Sequence, residues 1–336
     1  MTFSSQSSGA GEDYEPDALT IEATLACLDF LISTWNCDLD DRTLVFMTAY
    51  TDSRDPWTTE KASLLASRLI KTSIPRDRTE NFIVYSILQR YLRSIFSKPT
   101  SKLTTSGRPS QFPDQGYKPR DGLEPPSWKK QGLQVISVFR WAIRTSSVGS
   151  YPRVRSVYRQ GLTETAQENL VSNNWPLFTP VLLAISEDED PSIRALGLEI
   201  LTDFIDKCPS QILKSTGIGT VFQEAIFPSL LFLPSLTPEE ESVKLMRQAY
   251  GALVTLAEKE ANVANLGRRQ LLDKTVRDGI LAAYEHASQY VGVVETLMET
   301  TTTVVNCLEI FSVKHLQVRK SMKNESPAFV PAHMIY

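Results

Sequence analysis

Trp175-Pro176-Leu177-Phe178-Thr179-Pro180-Val181-Leu182-Leu183-Ala184-Ile185 is followed by the acidic run Glu187-Asp188-Glu189-Asp190, and then by Pro191-Ser192-Ile193-Arg194-Ala195-Leu196-Gly197-Leu198-Glu199-Ile200-Leu201. The second half of this stretch reads as a helix with both ends marked. Asp190 is suited to accept the free N–H groups of a first turn, and Pro191 fits the first helical position, where a missing N–H costs nothing. Beyond it Ile193, Leu196, Ile200, Leu201, Phe204 and Ile205 fall on one stripe of the helical period. Lys207 suits the negative end of the helix dipole, and Pro209 stops the run. The first half is an apolar helix interrupted by Pro180.

The plan recurs downstream. Val221 to Leu233 form a second apolar segment with Pro228 inside it, then Leu236-Thr237-Pro238-Glu239-Glu240 leads into a helix through Leu245, Tyr250, Leu253, Val254 and Leu256. Thr237 with Glu240 three residues on predicts a capping box. Pro180 to Pro228 spans 48 positions and Pro191 to Pro238 spans 47. Two helices in such a period indicate HEAT-like repeats, an all-α solenoid of stacked antiparallel helix pairs. No stretch alternates with period two, so no sheet is expected. Pro180 and Pro228 have two readings: a kink that lets the first helix of each pair wrap over its neighbour, or the end of a short helix.

Outward from this core, further amphipathic stripes occur. Ile21, Leu25, Leu28, Ile32 and Trp35 share one face, a short helix near Arg42 to Tyr50 follows, and Ala62, Leu65 and Leu69 share another. Ile83, Ile87, Tyr91 and Ile95 make the next stripe; Leu133, Ile136, Phe139, Arg140 and Ile143 follow, then Tyr158, Leu162, Ala166 and Leu170. Leu272, Val276, Ile280 and Ala283 precede a last helix from about Gln289 to Leu316, whose β-branched run Thr300 to Thr303 must be held by packing. The organisation expected is a disordered lead over 1–16, a single helical repeat domain over 17–316, and an irregular tail over 317–336. A Pro/Gly-rich insertion at 97–130 interrupts the domain, and its basic excess reads either as a solvated linker or as an electrostatic docking segment.

Composition narrows the function classes. With 336 residues and 42% hydrophobic content the chain has material for a substantial core. A net charge of -4 argues against a dedicated nucleic-acid binder. The serine- and glycine-rich, acidic start lacks the pattern of a signal peptide, and no run of 18 uninterrupted apolar residues predicts a membrane span. Cys27, Cys37, Cys208 and Cys307 show no paired spacing and read as reduced thiols acting as small hydrophobes.

Motifs for catalysis are lacking: there is no phosphate-binding loop, no H-E-x-x-H and no G-x-S-x-G, and Gly217-Ile218-Gly219 reads as a loop turn. His286, His315 and His333 are too scattered for a metal site, and the Glu187 to Asp190 run lacks the alternation and central glycine of a calcium loop. Its carboxylates suit a helix N-terminus, and Arg194 one turn in is placed to pair with such an acid. Asp190, Arg194, Pro180 and Pro228 are therefore assigned to the repeat structure; no catalytic residue, metal site or cofactor is expected.

Trp175-Pro176, the run Asp190 to Leu201, and Phe227-Pro228-Ser229-Leu230-Leu231-Phe232-Leu233-Pro234-Ser235-Leu236-Thr237-Pro238-Glu239-Glu240-Glu241-Ser242 resemble the Tel-two-interacting protein two family in its fungal form. The resemblance extends from Trp128 to about Glu258, and Leu233 to Glu240 is its most discriminating part. It implies a non-enzymatic helical-repeat subunit of the Triple T complex, joined to the first Tel-two-interacting protein and through it to Tel-two. That assembly works with the ninety-kilodalton heat-shock chaperone and its adaptor complex. Together they mature phosphatidylinositol-kinase-related kinases of DNA-damage and nutrient signalling, in cytoplasm and nucleus. The residues themselves equally suit a HEAT-type nuclear-transport or trafficking adaptor; neither nucleic acid nor membrane is expected as a partner. A repeat array must cover its terminal apolar face. The C-terminal stripe Val294, Leu297, Val304 and Phe311 therefore either docks a partner protein or packs against Leu272, Val276 and Ile280.

Overall fold

A computed structural model describes residues 17–35, 37–96, 128–146, 170–259 and 266–315. The expected disordered lead, nearly all of the 97–130 insertion, the helix expected around Tyr158, Leu162 and Ala166, and the tail lie outside these residues. Every regular element among the described residues is helical, and the expected all-α helical-repeat class is what the chain adopts. By contact density the chain divides into two compact units, one of residues 1–90 with 125–142, the other of residues 91–124 with 143–336.

In the first unit α1 (Ala18–Trp35) packs on α3 (Glu60–Ser73), as does α2 (Asp41–Thr48). Two helix starts are capped by side chains: Asp40 accepts from Thr43 N–H and Thr59 from Ala62 N–H at 3.0 Å. α1 is long and apolar enough to cross a membrane by length and composition, although no uninterrupted apolar run occurs in it. Its two acids serve a packed helix: Glu22 accepts the Thr59 hydroxyl at 2.6 Å and pairs with Lys61 at 2.9 Å, and Asp29 pairs with Arg68. Only Leu25 of the expected stripe is fully buried; Ile21, Leu28 and Ile32 are half-buried and Trp35 is exposed.

α4 (Arg76–Asn81) continues as a π-helical stretch, Phe82–Leu92, and closes with the short α5 (Arg93–Ile95). Ile83, Ile87 and Ile95 are buried as their stripe requires. A short 3-10 turn, Lys129–Gln131, leads to α6 (Gln134–Thr145), and Trp141 on α6 meets the Phe82 ring edge-on at 6.1 Å.

In the second unit the central pairs form as the period implies. α7 (Leu170–Ser186) packs on α8 (Pro191–Lys207), which packs in turn on α11 (Glu239–Glu258). The rings of Phe178, Phe204 and Phe222 run through the middle at centroid spacings of 5.7 and 6.0 Å, all without exposure. Of its expected stripe α8 buries Ile200, Leu201, Phe204 and Ile205 and leaves Ile193 and Leu196 half-buried; Arg194, Ala195, Gly197 and Leu198 are covered as well, because α7 and α11 take two faces of it. Gly197 lets α7 approach; a Cβ there would stand 2.7 Å from the Ser186 nitrogen.

The two repeat prolines behave differently. Pro176 and Pro180 both lie inside α7, which runs through them. Pro228 instead follows the end of α10 (Ile218–Ile226) and sits in a 3-10 turn, Phe227–Leu231. α10 is preceded by α9 (Ser210–Ser215) and by Gly217, whose φ of 72° makes the expected turn. The capping box at Thr237 does not form. No side chain caps α11; Glu239, Glu240 and Glu241 in its first turn complement the dipole instead. The Ser242 hydroxyl donates to the Phe232 carbonyl at 2.6 Å.

α12 (Leu266–Lys274), a π-helical turn (Thr275–Leu281) and α13 (Ala282–Ala287) form one arm of a third pair, and α14 (Val291–Leu308) the other. Leu272, Val276, Ile280 and Ala283 are all buried, as their stripe requires. Along α14 the hydroxyls of Thr300, Thr301, Thr302 and Thr303 donate to the carbonyls four residues back at 2.7 to 3.1 Å. The β-branched run is thereby accommodated by back-bonding. α14 ends at Glu309, held at φ 49°, and a 3-10 turn (Glu309–His315) follows.

Candidate functional surface

The acidic run and Arg194 form a joint between α7 and α8. Asp188 accepts the Asp190 N–H at 2.9 Å and so shapes the turn, while Asp190 accepts from Ser192 N–H at 2.8 Å and Ile193 N–H at 3.2 Å. Arg194, buried, turns back and donates to the carbonyls of Asp188 at 2.7 Å and Glu187 at 3.0 Å. The pairing expected with a carboxylate is thus made to main-chain oxygens at the α7 C-terminus, where a cation also meets the negative end of the dipole. Its guanidinium lies 4.5 Å from the Phe232 ring centroid. Burial lowers the Arg194 pKa, opposed by the charges of Glu187 and Asp188. Asp190 and Arg194 hold chain to chain at this joint.

Lys207 caps a different helix from its own. Its ammonium donates to the Ile143 and Arg144 carbonyls at 2.6 and 2.8 Å, at the end of α6, while Arg144 pairs with Glu199 at 3.1 Å and Asp203 at 3.2 Å.

A buried polar cluster lies in the first unit, around a residue the periodicity places on an apolar stripe. Arg140 is buried and its guanidinium holds both Asp55 carboxylate oxygens at 2.5 Å, with Asp52 at 3.6 Å from its Nε. The Ser137 hydroxyl donates to Asp55 at 2.6 Å. Arg54 holds Asp52 from outside at 2.8 Å. Hydrogen bonding from Arg54 and the charges of Arg140 and Arg54 hold the Asp52 carboxyl well below the usual aspartate range, against the opposing effect of burial. These side chains fasten the loop between α2 and α3 to α6. A charged residue on an otherwise apolar stripe was the signal available in the sequence, because a buried cation needs a buried anion.

The C-terminal stripe is divided by the fold. Leu297 and Val304 are fully buried within the second unit, where α14 packs on α11, α12 and α13. Val294 and Phe311 are half-buried, and Arg269 lies over the Phe311 ring at 4.4 Å. Leu297 and Val304 therefore serve the interior, as the alternative of internal packing requires. Any partner contact on α14 falls to its exposed side.

The four cysteines are free thiols, but only Cys208 is a buried one, its pKa pushed up to about 12 by burial. Cys27 and Cys37 are exposed, so the reading of all four as small hydrophobes holds for one. His286 is exposed. Among the described residues no cluster of His, Cys, Asp and Glu is arranged to hold a metal ion. A cleft of about 330 Å³ opens between Asp38, Leu44, Ile74, Phe82 and Tyr85.

The Tti2 family model matches residues 43–322, most of the chain. No solved structure matches it. The matched span holds the helix-pair stack and begins after α1.

Proposed function

The chain belongs to the Tti2 family, and from that premise we propose that it is a non-enzymatic scaffold of a co-chaperone assembly that matures and stabilises phosphatidylinositol-kinase-related kinases. Family membership carries in general the role of a Triple T complex subunit, in a scaffold-type family that acts through protein–protein contacts. The finer reading names the first Tel-two-interacting protein and Tel-two as partners, the ninety-kilodalton heat-shock chaperone as the machinery reached through them, and cytoplasm and nucleus as the compartments. The observation that carries it is the family match across residues 43–322, the span in which the helix pairs stack. Stacked helix pairs present long, rigid surfaces suited to holding other proteins.

The experiment is affinity purification of the full chain from native extract under gentle conditions, followed by depletion of the chain. Recovery of both other Triple T subunits, and a fall in the steady-state level of the large kinases without a fall in their messenger RNA, is the expected result. Repeated recovery of transport factors or coat proteins in their place overturns the proposal.

A further inference from the structure

The cleft between α2 and α4 holds an arginine without a partner among the described residues. Arg78, Asn81 and Phe82 line one wall within a single helical turn, since the Phe82 N–H bonds to the Arg78 carbonyl. Asp38, Asp41 and Leu44 line the wall that leads into and along α2, and Ile74, at the end of α3, completes the cleft. Leu44, Ile74 and Phe82 are buried and make an apolar floor, whereas Arg78, Asn81 and Tyr85 keep exposed side chains. The Ser86 hydroxyl donates to Asp41 at 2.6 Å and ties the two walls together. Along the helical wall Ser86 is the last lining residue and Arg78 the first, at most about 12 Å apart. The cleft is thus closed beside Asp41, and the only basic residue that lines it stands at the other end.

These groups select among ligands. Arg78 and Asn81 make no side-chain hydrogen bond or ion pair with another described residue. A free guanidinium and a free amide three residues apart on one helix suit a planar anion held by several N–H groups. Asp38 and Asp41 restrict which anion. A phosphate dianion or a run of acidic side chains would set like charge against both, whereas a single carboxylate preceded by peptide groups brings N–H donors for them to accept. Arg78 and Phe82 stand one turn apart, about 5–6 Å between Cβ atoms. The end of a polypeptide matches that spacing, because its last residue carries a carboxylate and a side chain on one carbon. Within an extended chain an acidic side chain and its apolar neighbour point to opposite faces. A volume of about 330 Å³ lies at the small end for ligand sites and is too narrow for a helix.

We propose that this cleft captures the C-terminus of a partner protein whose last residue is apolar. Arg78 and Asn81 hold the α-carboxylate, Leu44, Ile74 and Phe82 receive the side chain, and Asp38 and Asp41 accept main-chain N–H groups of the residues before it. A free apolar amino acid shares the carboxylate and the side chain. It would leave bare Tyr85, an aromatic 60% exposed on the same wall, which the preceding residues of a chain can cover. The inference does not rest on the family role, since it concerns what the chain binds by itself.

The test uses the full chain and glycine–serine heptapeptides labelled with fluorescein at the amino end and finishing in leucine, with the terminal carboxylate free or amidated, read by fluorescence anisotropy. The free acid is expected to bind at least about ten-fold tighter than the amide. It is also expected to bind tighter than a free acid finishing in glycine, and to be displaced better by unlabelled N-acetyl-glycyl-glycyl-leucine than by leucine or inorganic phosphate. Arg78→Gln is expected to remove the preference for the free acid and Arg78→Lys to restore part of it, with the thermal melt unchanged because Arg78 is exposed. Arg247→Gln, in the second unit, keeps wild-type binding. Should Arg78→Gln melt early, the comparison of acid with amide on the wild-type chain decides, since it needs no variant. Equal binding of acid and amide, or a preference that survives Arg78→Gln in a folded protein, overturns the proposal. So does better displacement by leucine or by phosphate, or an absence of binding at millimolar peptide.

Discussion

Gly197→Ala and Gly251→Ala place the same methyl group on two helices of one unit, and the structure assigns them opposite signs. At Gly197 the added Cβ would stand 2.7 Å from the Ser186 nitrogen, 2.8 Å from the Ile185 carbonyl carbon and 2.9 Å from the Ile185 Cγ2. Ordinary contact begins near 3.4 Å, and two of these atoms are main chain, which no rotamer change moves aside. α7 and α8 must separate by roughly half an ångström or more in an interior packed like an organic crystal. Overpacking of this kind costs about 1–3 kcal/mol, and a backbone clash belongs at the upper end. Alanine regains about 1 kcal/mol through its better helix propensity, so the net loss is about 2 kcal/mol. That lowers the melting temperature by about 4–8 °C for a unit of this size. Gly251 is exposed on α11 with nothing within 4 Å of the added methyl, so only the propensity gain remains. Its substitution raises stability by about 0.5–1 kcal/mol. Thermal melts by circular dichroism, with urea titrations to check that the slope is unchanged, measure both. A Gly197→Ala protein that melts at or above wild type refutes the close approach of α7 and α8 and with it the pairing of the central helices.

Arg140→Ala leaves the Asp55 carboxylate buried without its cation and is expected to cost about 3–5 kcal/mol in urea unfolding; the double change Arg140→Met with Asp55→Leu costs less than the single one, because it removes both charges together. Equal losses in the two proteins would show that shape and not charge holds the loop to α6. Asp52 has a depressed carboxyl pKa, so its stabilisation is fully present above the ordinary aspartate value of 3.8 and is lost as pH falls below it. Asp52→Asn is therefore expected to be less stable than wild type at pH 7, with the gap closing in strong acid; a gap that widens on acidification contradicts the assignment. The Tyr250 hydroxyl is buried with no hydrogen-bond partner among the described residues, and burial pushes its pKa up. Tyr250→Phe is expected to leave the melting temperature unchanged or raised, and a clear fall would reveal a partner for that oxygen.

The helix pairs were legible because their signals are local. Asp190 before Pro191 caps α8 as written, since an N-cap needs only a carboxylate three residues from a free N–H. Leu201, Phe204 and Ile205 are buried because a stripe of that period has no other way to leave water. Thr237 misled for the opposite reason. Its spacing to Glu240 is that of a capping box, but the chain enters α11 at Glu239 and the threonine is itself buried. The difference between Pro180, inside α7, and Pro228, after α10, was not legible either. Each proline removes one backbone bond, and whether the helix continues depends on neighbours that local sequence does not name.

Surfaces are harder to read than cores, and α1 shows why. Its apolar residues surround the helix, so the stripe Ile21, Leu25, Leu28, Ile32 and Trp35 reads as one buried face and hides the second. Only the placement of α3 shows that Leu25 alone of that stripe is fully buried, that Trp35 at its end stays exposed, and that Phe30 and Leu31 off the stripe are left over. The C-terminal stripe left two readings open, docking a partner and packing within the chain, and Leu297 and Val304 are buried where α14 packs on α11, α12 and α13. In both cases the sequence marks that a face is apolar, and only the fold says which neighbour covers it. For a protein whose work is contact with other proteins, the informative residues are the apolar ones that folding leaves uncovered. Among the described residues of the first unit those are spread over Leu19, Phe30, Leu31 and Trp35 of α1, Phe46 of α2, Leu64 of α3, Tyr85 and Leu133.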